Sequence, residues 1–374
     1  MKAETLINAL EAIAIHDYIG VPDSTLKSFC DYLYLHKSPA QHHVPVNEGA
    51  ALAMAAGIYL ASGQISCVYM QNSGLGNAVN PITSLLHEKV YAIPMLFIIG
   101  YRGQPGYADE PQHKFQGAIT LPMLELLEIP YAVLKKDDDA SSLSQILKKA
   151  QECFQAKKQF AIVVEKGALE SEETLHFQNG FHIRREEAIQ HVISLLQPED
   201  VIISTTGKIS REVYELSNAI LGHHKQAFLT VGSMGHASMI AQGIALKCPH
   251  KRVFCFDGDG AALMHMGSMN YIAQQPCENL IHIVFNNLAH ESVGGMPTQC
   301  AKTPLHEIAK AMGYKHVLYI TDLQELDSTL QRNYQGPVFI EIGVAVGSRA
   351  DLGRPKETAV ENKEQFMSVL KGEY

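Results

Sequence analysis

Residues 257–291 read DGDGAALMHMGSMNYIAQQPCENLIHIVFNNLAHE and place polar side chains at the ends of two apolar runs. The runs RVFCFD and NLIHIVF have the length of buried strands, and the segment between them has the length of a helix. A strand, a helix and a second strand form a βαβ unit, whose parallel strands end side by side. The sequence therefore predicts that Asp259 on one loop and the amides of Asn286 and Asn287 on the next meet at one edge of a sheet.

The two halves of the chain repeat one order of elements. The segment 48–74 aligns without a gap with the segment 234–260. Each half has a small-residue helix, an apolar strand, a glycine-containing loop, a second helix and a second strand, which implies parallel sheets flanked by helices. We expect an α/β protein with two similar domains, residues 1–167 and 184–374, joined by the mostly polar linker 168–183.

The composition limits the class of protein. Of 374 residues, 46% are hydrophobic and 18% are charged, as in globular proteins, and the net charge of −9 argues against nucleic acid or an anionic membrane as a partner. No opening segment resembles a signal peptide, and no apolar run has the length of a membrane span. The seven cysteines include Cys67 and Cys255 inside apolar runs, which favours reduced thiols and a cytoplasmic location.

Two common nucleotide motifs fail in this sequence. The glycine pairs of the two halves are followed by Val79 and Leu263, where a dinucleotide fingerprint needs glycine or alanine. A Walker A loop needs serine or threonine after its lysine, but Ile209 follows Lys208. An NAD-dependent dehydrogenase and a P-loop enzyme are therefore disfavoured.

The loop at 258–260 instead predicts a metal-bound phosphate. A glycine-rich loop before a helix suits a phosphate, but the carboxylate of Asp259 would repel one. A Mg²⁺ ion bound to both groups removes the conflict, and an amide oxygen of Asn286 or Asn287 could be a second ligand. The local alternative is that Asp259 caps a helix and that the asparagines form an ordinary turn.

The combination of GDG with paired asparagines resembles the metal–diphosphate signature of thiamine-diphosphate-dependent enzymes. The resemblance implies that Asp259, Asn287 and the backbone carbonyl of Ala289 bind Mg²⁺. It also implies the thiamine-diphosphate-binding fold, with residues 1–167 as the pyrimidine-binding domain and residues 184–374 as the diphosphate-binding domain. Leu288 departs from the family pattern, because relatives usually have a small residue there.

Two further motifs extend the resemblance. VNEGAALAMAAG resembles the activating-glutamate segment and implies Glu48, whereas GSMGHA resembles the segment that supports the bent cofactor. There Gly232 would offer its carbonyl to the aminopyrimidine, and Met234 would be the wedge beneath it. With the first-half loop that aligns with GDG, the expected cofactor-binding residues are Glu48, Asn72, Ser73, Gly74, Gly232, Ser233, Met234, Gly258, Asp259, Gly260 and Asn287.

Longer segments resemble one branch of the family. GVPDSTLKSFCDY, QNSGLGNAVNPITSL and NNLAHESVGGMPT are similar to decarboxylases that convert 3-phosphonopyruvate to phosphonoacetaldehyde and CO₂ in phosphonate biosynthesis. Sulfopyruvate decarboxylation is the nearest alternative. A catalytically silent, thiamine-diphosphate-binding regulatory protein is a further alternative, against which the joint presence of Glu48, Asp259 and Asn287 argues.

The implied chemistry assigns roles to several residues. Losing CO₂ from a 2-oxo acid leaves a carbanion that no ordinary side chain stabilises, and the thiamine-diphosphate ylid is the electron sink. Glu48 would favour the imino tautomer that takes the thiazolium proton. Asp23 is the candidate acid after CO₂ loss and His113 a candidate relay, although a turn residue and a solvated loop histidine are the simpler interpretations.

The anionic substrate requires cationic side chains to bind it, and the resembled family implies a second subunit. Arg102 and Lys208, in glycine-containing loops, are the candidates for the phosphonate and the carboxylate. Glu48 and Asp259 fall in different predicted domains but must bind one small cofactor. In the resembled family they do so across a subunit interface, which implies at least a homodimer.

Overall fold

The computed structural model describes residues 1–107, 109, 111–332 and 334–372, with only the backbone at residue 111. The chain divides into two compact units, Met1–His176 with Val293–Met296 and Phe177–Ser292 with Pro297–Tyr374. The first unit runs past residue 167 because Ala168 and Leu169 are buried in its core, and the amino group of Met1 donates to Ala168 O at 2.9 Å. The division falls within the segment 168–183, for which the sequence predicts a linker.

The first unit is a six-stranded parallel sheet with helices on its faces. Its strands are β1 (Tyr18–Gly20), β2 (His42–His43), β3 (Cys67–Gln71), β4 (Leu96–Gly100), β5 (Tyr131–Leu134) and β6 (Phe160–Val164), in the order β2-β1-β3-β4-β6-β5. Its helices are α1 (Ala3–Ala12), α2 (Lys27–His36), α3 (Glu48–Ser62), α4 (Leu75–Pro81), α5 (Pro111–Leu126) and α6 (Ala140–Gln155). A 3₁₀ turn (Asn72–Gly74) precedes α4, and a π-helical turn (Ile82–Leu86) follows it.

The second unit is also a six-stranded parallel sheet. Its strands are β7 (Val201–Ser204), β8 (Ala227–Leu229), β9 (Val253–Gly258), β10 (Leu280–Asn286), β11 (His316–Ile320) and β12 (Val338–Gly343), in the order β11-β12-β10-β9-β7-β8. Its helices are α7 (Arg185–Ser194), α8 (Lys208–Leu221), α9 (Ala237–Lys247), α10 (Asp259–Met264), α11 (Gly267–Ala273), α12 (Leu305–Met312), α13 (Leu323–Leu330) and α14 (Ala359–Lys371). Among the described residues, 3₁₀ turns span Gln299–Ala301 in this unit and Glu291–Val293 where the chain passes into the first unit.

The two sheets have the same topology. When the strands of the second unit are counted from its own first strand, their order is that of the first unit read from the opposite edge. The aligned segments 48–74 and 234–260 place the start of β3 opposite the start of β9. The prediction of two similar α/β domains with parallel sheets flanked by helices is therefore confirmed.

The strand sequences explain why both faces of each sheet are covered. In β3, Cys67 and Tyr69 pack into one apolar cluster of the first unit, while Val68 and Met70 pack into another. Strands buried on both faces are apolar at nearly every position, as parallel sheets require. Within the described ranges, no helix combines the length and apolarity needed to cross a bilayer.

The strand order fixes where each unit can bind a ligand. In the first unit the chain moves from β1 to one side for β2 and to the other for β3, and in the second unit β7 is followed by β8 and β9 in the same way. Ligands of open α/β sheets bind at the carboxyl ends of the strands beside such a reversal. These ends carry Asp23 and Asn72 in the first unit, and Lys208 and Asp259 in the second.

Candidate active site

The loop after β9 holds a buried carboxylate. Asp259 begins α10, only 3% of its surface is exposed, and its Oδ2 accepts a hydrogen bond from the Thr298 hydroxyl at 2.6 Å. Burial raises the pKa of Asp259 to about 7, although the hydrogen bonds from Thr298 and backbone N–H groups oppose the rise. A carboxylate so placed is a suitable ligand for a divalent cation, whose charge would offset the cost of burial.

Gly260 allows the loop after β10 to approach this carboxylate. A β-carbon at residue 260 would lie 3.0 Å from His290 Nδ1 and 3.5 Å from the terminal methyl of Met234. Strands β9 and β10 are paired in parallel, so the loops that follow them lie at the same edge of the sheet. The residues at 234, 260 and 290 thus converge around Asp259.

The paired asparagines have their amides held in fixed orientations. Asn286 Nδ2 donates to Glu341 Oε1 at 2.6 Å, and Asn287 Nδ2 donates to Glu291 Oε2 at 2.7 Å. Their Oδ1 atoms accept from the backbone N–H two residues later, at 3.0 Å in each case. These are Asx turns. Each amide oxygen keeps a second lone pair, so the turn leaves Asn287 able to bind a metal.

Leu288 has a left-handed backbone. Its φ is 59°, which is uncommon for a residue with a side chain. Its carbonyl accepts from Thr298 N at 2.9 Å, so the turn is tied to the residue that also bonds Asp259. Leu288, which departs from the family pattern, therefore stands where glycine would be less strained.

The segment 232–235 lies beside the same loops. Ser233 and Gly235 have φ values of 54° and 85°, so the chain makes a tight left-handed turn around Met234. Thr206 Oγ1 donates to Val231 O at 3.0 Å and links this turn to the end of β7. The segment predicted to support the cofactor therefore lies at the carboxyl edge of the second sheet.

Lys208 belongs to a charge network at this edge. Its Nζ lies 2.8 Å from Glu291 Oε1, and Arg185 Nη1 lies 2.8 Å from Glu291 Oε2. Arg185 is buried and binds both oxygens of Glu212 at 2.7 Å. Although burial raises the pKa of Glu291, the charges of Arg185 and Lys208 outweigh burial and hold it below its ordinary value. The network joins Lys208 to Asn287 through one carboxylate.

A second group of potential ligands lies inside the sheet. Ligand atoms of Cys255, Asp257 and His282 are within 4.8 Å of one another, and all three residues are buried. His282 Nε2 lies 3.5 Å from Asp257 Oδ2, and Asp257 Oδ1 accepts from Gly258 N at 3.0 Å. These contacts support the strand end from which the loop with Asp259 begins.

In the first unit, Glu48 starts α3 and is buried. Asn47 caps the helix by accepting from Ala50 N at 2.8 Å, and 5% of Glu48 is exposed. Asn77 Nδ2 donates to Glu48 Oε2 at 2.8 Å. A β-carbon at Gly74 would lie 2.5 Å from Glu48 Oε1, so bare backbone faces the carboxylate. The contacts hold Glu48 against the loop after β3.

Asp23 is fully buried at the end of β1. Gln71 Nε2 donates to its Oδ1, and Thr25 N donates to its Oδ2 at 3.0 Å. A β-carbon at Gly100 would clash with Oδ2, so three strand ends surround the carboxylate. Burial raises the pKa of Asp23, opposed by the hydrogen bond from Gln71 and the charge of Arg102. A carboxyl group that retains its proton more readily than usual is suited to donate one.

Arg102 forms a two-pronged ion pair. Its Nε and Nη2 donate to the two oxygens of Asp109 at 2.8 and 2.6 Å, and Nη1 donates to Ser24 Oγ at 3.0 Å. The guanidinium therefore contacts the residue that follows Asp23, at the same edge of the sheet. This predicted substrate cation is already paired with a carboxylate, which the sequence does not indicate.

The other predicted residues of this unit differ in exposure. Asn72 is fully buried, and its Nδ2 donates to Arg102 O at 2.7 Å and to Thr120 Oγ1 at 2.8 Å. Ser73 is exposed and donates to Gln71 Oε1 at 2.8 Å. His113 is half-buried in the first turn of α5, and its backbone carbonyl packs against Gly103. Asn72 thus supports the loop of Arg102, whereas Ser73 faces solvent.

Known proteins resemble the chain over both units. Residues 2–123 match the thiamine pyrophosphate enzyme N-terminal TPP binding domain, and residues 207–342 match the C-terminal TPP binding domain. Phosphonopyruvate decarboxylase of Streptomyces viridochromogenes is 33% identical over 98% of this chain and 94% of its own length. The chain belongs to the thiamine pyrophosphate enzymes. The predicted class of thiamine-diphosphate-dependent decarboxylase and the predicted cofactor are thereby confirmed.

Other relatives match a smaller part of this chain. Sulfopyruvate decarboxylase subunit beta of Methanothermobacter thermautotrophicus is 32% identical over 51% of this chain and 97% of its own length. Subunit alpha of the Methanococcus maripaludis enzyme is 37% identical over 38% of this chain and 81% of its own length. Each of these subunits therefore matches about half of this chain or less.

The loops of this thiamine pyrophosphate enzyme carry chemical groups that suit Mg²⁺ and a diphosphate. Asp259 is a buried carboxylate whose pKa is raised by burial, and a bound cation would offset the cost of its charge. The amide oxygen of Asn287 and the backbone carbonyl of Ala289 are hard oxygen donors of the kind that Mg²⁺ prefers. Gly258 and Gly260 leave the loop without side chains where a phosphate must approach.

The roles of two residues at this edge of the sheet could not be predicted from the sequence. Thr298 bonds Asp259 from 39 positions away, and no periodic pattern in the sequence marks it. Glu291 bonds Asn287 from four positions away. That spacing is visible in the sequence, but it points to a partner only once the chain is known to turn back after β10.

Proposed function

We propose that this enzyme decarboxylates 3-phosphonopyruvate to phosphonoacetaldehyde and CO₂, with thiamine diphosphate and Mg²⁺. The observation that carries the proposal is the 33% identity to phosphonopyruvate decarboxylase, which extends over 98% of the chain and so includes both units. A relative that is a sulfopyruvate decarboxylase matches 68% of the chain at 28% identity, and subunits of such enzymes match 35–51% of the chain.

In the second unit, Asp259, Asn287 and the carbonyl of Ala289 would hold Mg²⁺, and the ion would hold the diphosphate. The backbone of residues 258–260 would contact the diphosphate oxygens, and residues 232–234 would support the rings. Bound thiamine diphosphate supplies the electron sink for the carbanion that remains when CO₂ leaves. The protein's part is to orient the groups and to exclude water.

In the first unit, Glu48 would bind the pyrimidine ring, beside the loop of Asn72, Ser73 and Gly74. The contact with Asn77 keeps the Glu48 carboxylate in one orientation. Asp23 would be the acid that delivers a proton after CO₂ loss, because burial raises its pKa. His113, in the first turn of α5, is proposed as a relay for that proton.

The substrate has two anionic ends, for which Arg102 and Lys208 are proposed as ligands. A guanidinium can bind a phosphonate through two parallel hydrogen bonds, and an ammonium carries three donors, of which Glu291 uses one. We also propose that the protein is at least a homodimer. Glu48 and Asp259 belong to different units, and two copies paired about a twofold axis would complete two sites.

The function is tested by following phosphonoacetaldehyde in a coupled assay, with and without added thiamine diphosphate and Mg²⁺. We expect turnover that requires both additions and that prefers 3-phosphonopyruvate to sulfopyruvate by kcat/KM. A reversed preference would favour the sulfonate substrate. Binding of the cofactor without turnover of either acid would favour a silent binding protein. Sedimentation analysis tests the dimer, and a monomer with full activity would contradict it.

A further inference from the structure

The side-chain amide of Asn287 has one orientation available. Its Nδ2 lies 2.7 Å from Glu291 Oε2. A carboxylate can only accept hydrogen bonds, so the amino end of the amide must face Glu291 and the oxygen must face the other way. That oxygen bonds Ala289 N at 3.0 Å, on the side of the residue whose carbonyl is the third proposed ligand.

Glu291 is held in place from two directions. Arg185 Nη1 binds the same Oε2 that accepts from Asn287, and Lys208 Nζ binds Oε1, each at 2.8 Å. Arg185 is fixed in turn by Glu212 through two bonds of 2.7 Å. Only 9% of the Glu291 side chain is exposed. A carboxylate restrained by two cations cannot rotate away from the amide without losing ion pairs in a buried place.

We propose that Glu291 is a positioning residue that orients the amide oxygen of Asn287 toward the metal, and that Arg185 and Lys208 act on the metal through it. The inference rests on the proposed magnesium site. Groups that orient a metal ligand commonly set metal affinity without touching the ion. Lys208 therefore has a second task beside the proposed contact with substrate, because its bond to Oε1 helps to fix the Glu291 side chain.

Substitution by glutamine is the informative change at this position. Glu291→Gln preserves the shape, but its single oxygen cannot accept from Arg185, Lys208 and Asn287 together. Its amino group must then face Lys208, which is repulsive, or face Arg185 and Asn287 together, which repels the guanidinium and turns the Asn287 amide round. The matched control is Glu212→Gln, which also removes an acidic partner of Arg185 but has no bond to Asn287.

The measurement is binding of Mg²⁺ by calorimetry, and of Mn²⁺ by electron paramagnetic resonance, to the 374-residue protein in the presence of a fixed excess of thiamine diphosphate. For Glu291→Gln we expect the Kd of the metal to rise about 10- to 100-fold. For Glu212→Gln we expect a lower melting temperature of the metal-free protein and a metal Kd within about twofold of the original. Equal rises in Kd for both variants, or no rise for Glu291→Gln, would overturn the proposal and leave Glu291 a structural residue.

If Glu291→Gln does not fold, Glu291→Asp replaces it. Aspartate keeps the charge for Arg185 and Lys208 but withdraws the carboxylate from Asn287 by one methylene. A smaller rise in metal Kd is expected, and an unchanged Kd contradicts the proposal. These metal measurements do not involve substrate, so a failure to decarboxylate 3-phosphonopyruvate would sink the proposed function while leaving this inference standing.

Discussion

Gly74 approaches Glu48 so closely that a β-carbon on residue 74 would lie 2.5 Å from Glu48 Oε1. The next two atoms it would meet, Cδ and Cγ of Glu48, lie at 2.7 Å, so a rotation of the carboxylate alone could not relieve the overlap. The proposed catalytic glutamate is therefore confined by the backbone of the loop that aligns with GDG in the other unit.

Gly74→Ala should displace the Glu48 carboxylate and lower kcat by about 10- to 100-fold, because small errors in the position of a reacting group are costly. The control is Gly76→Ala, where an added β-carbon meets nothing within 4 Å. Steady-state kinetics on both variants checks the prediction. Similar activity of the two variants would show that the Glu48 contact with Gly74 is unimportant.

Glu48→Gln should abolish measurable turnover while the protein still binds thiamine diphosphate. The amide has the size of the carboxylate, but it cannot favour the imino tautomer of the pyrimidine as the carboxyl group of Glu48 is expected to do. Calorimetry gives cofactor binding, and the coupled assay gives turnover. Asn77→Ala, which removes the 2.8 Å bond to Glu48, should cost much less. Retention of most of the rate by Glu48→Gln would refute the assignment of Glu48.

The sequence predicts the fold well because the periodic signals are local. Strands such as β3 and β9 are continuous apolar runs, and the repeat between the halves places them in equivalent positions. The loop at 258–260 and the asparagines are likewise recognisable as motifs. Strand order is what turns these local signals into a shared sheet edge, since β9 and β10 pair directly.

The partners of these motifs are harder to predict, because they come from distant parts of the chain. Asn286 bonds Glu341, and Arg102 bonds Asp109, through pairs that no spacing rule singles out. Ion pairing also changes what a residue can do. Arg102 and Lys208 look like free cations in the sequence, whereas each is bound to a carboxylate in the structure.

Leu288 should tolerate glycine better than a β-branched residue. At φ 59° a side chain costs about 1–2 kcal/mol, which glycine avoids, so Leu288→Gly should stay within about 1 kcal/mol of the original free energy of unfolding. Leu288→Ile has the same number of carbons but fits this backbone region poorly, and should lose about 1–2 kcal/mol. Urea unfolding measures both, and the opposite order would show that packing of Leu288 outweighs its backbone strain.

Arg102→Lys should raise the KM for 3-phosphonopyruvate about tenfold with a smaller change in kcat, because lysine cannot form two parallel bonds to a phosphonate. The variant also breaks the ion pair with Asp109, so Asp109→Asn is the control: it weakens that pair but keeps the guanidinium. We expect Asp109→Asn to leave KM unchanged or lower it. A KM raised equally in both variants would mean that the ion pair, not the guanidinium, matters.

Asp259→Asn should make the metal-free protein more stable while removing its response to cofactor. Without a cation, the buried carboxylate has hydrogen bonds from Thr298 and the backbone but burial still raises its pKa, so at pH 8 its charge costs free energy. A neutral amide of the same shape should therefore raise the free energy of unfolding of chelator-treated protein by about 1–3 kcal/mol.

Mg²⁺ with thiamine diphosphate should raise the melting temperature of the original protein and leave that of the variant unchanged, because a ligand stabilises only the state that binds it. Thr298→Val, which removes the 2.6 Å bond but keeps the carboxylate, should instead destabilise the metal-free protein and preserve the response to Mg²⁺. If Asp259→Asn lowers the stability of the metal-free protein as Thr298→Val does, the role of Asp259 is to stabilise the loop after β9, and the metal must be bound elsewhere.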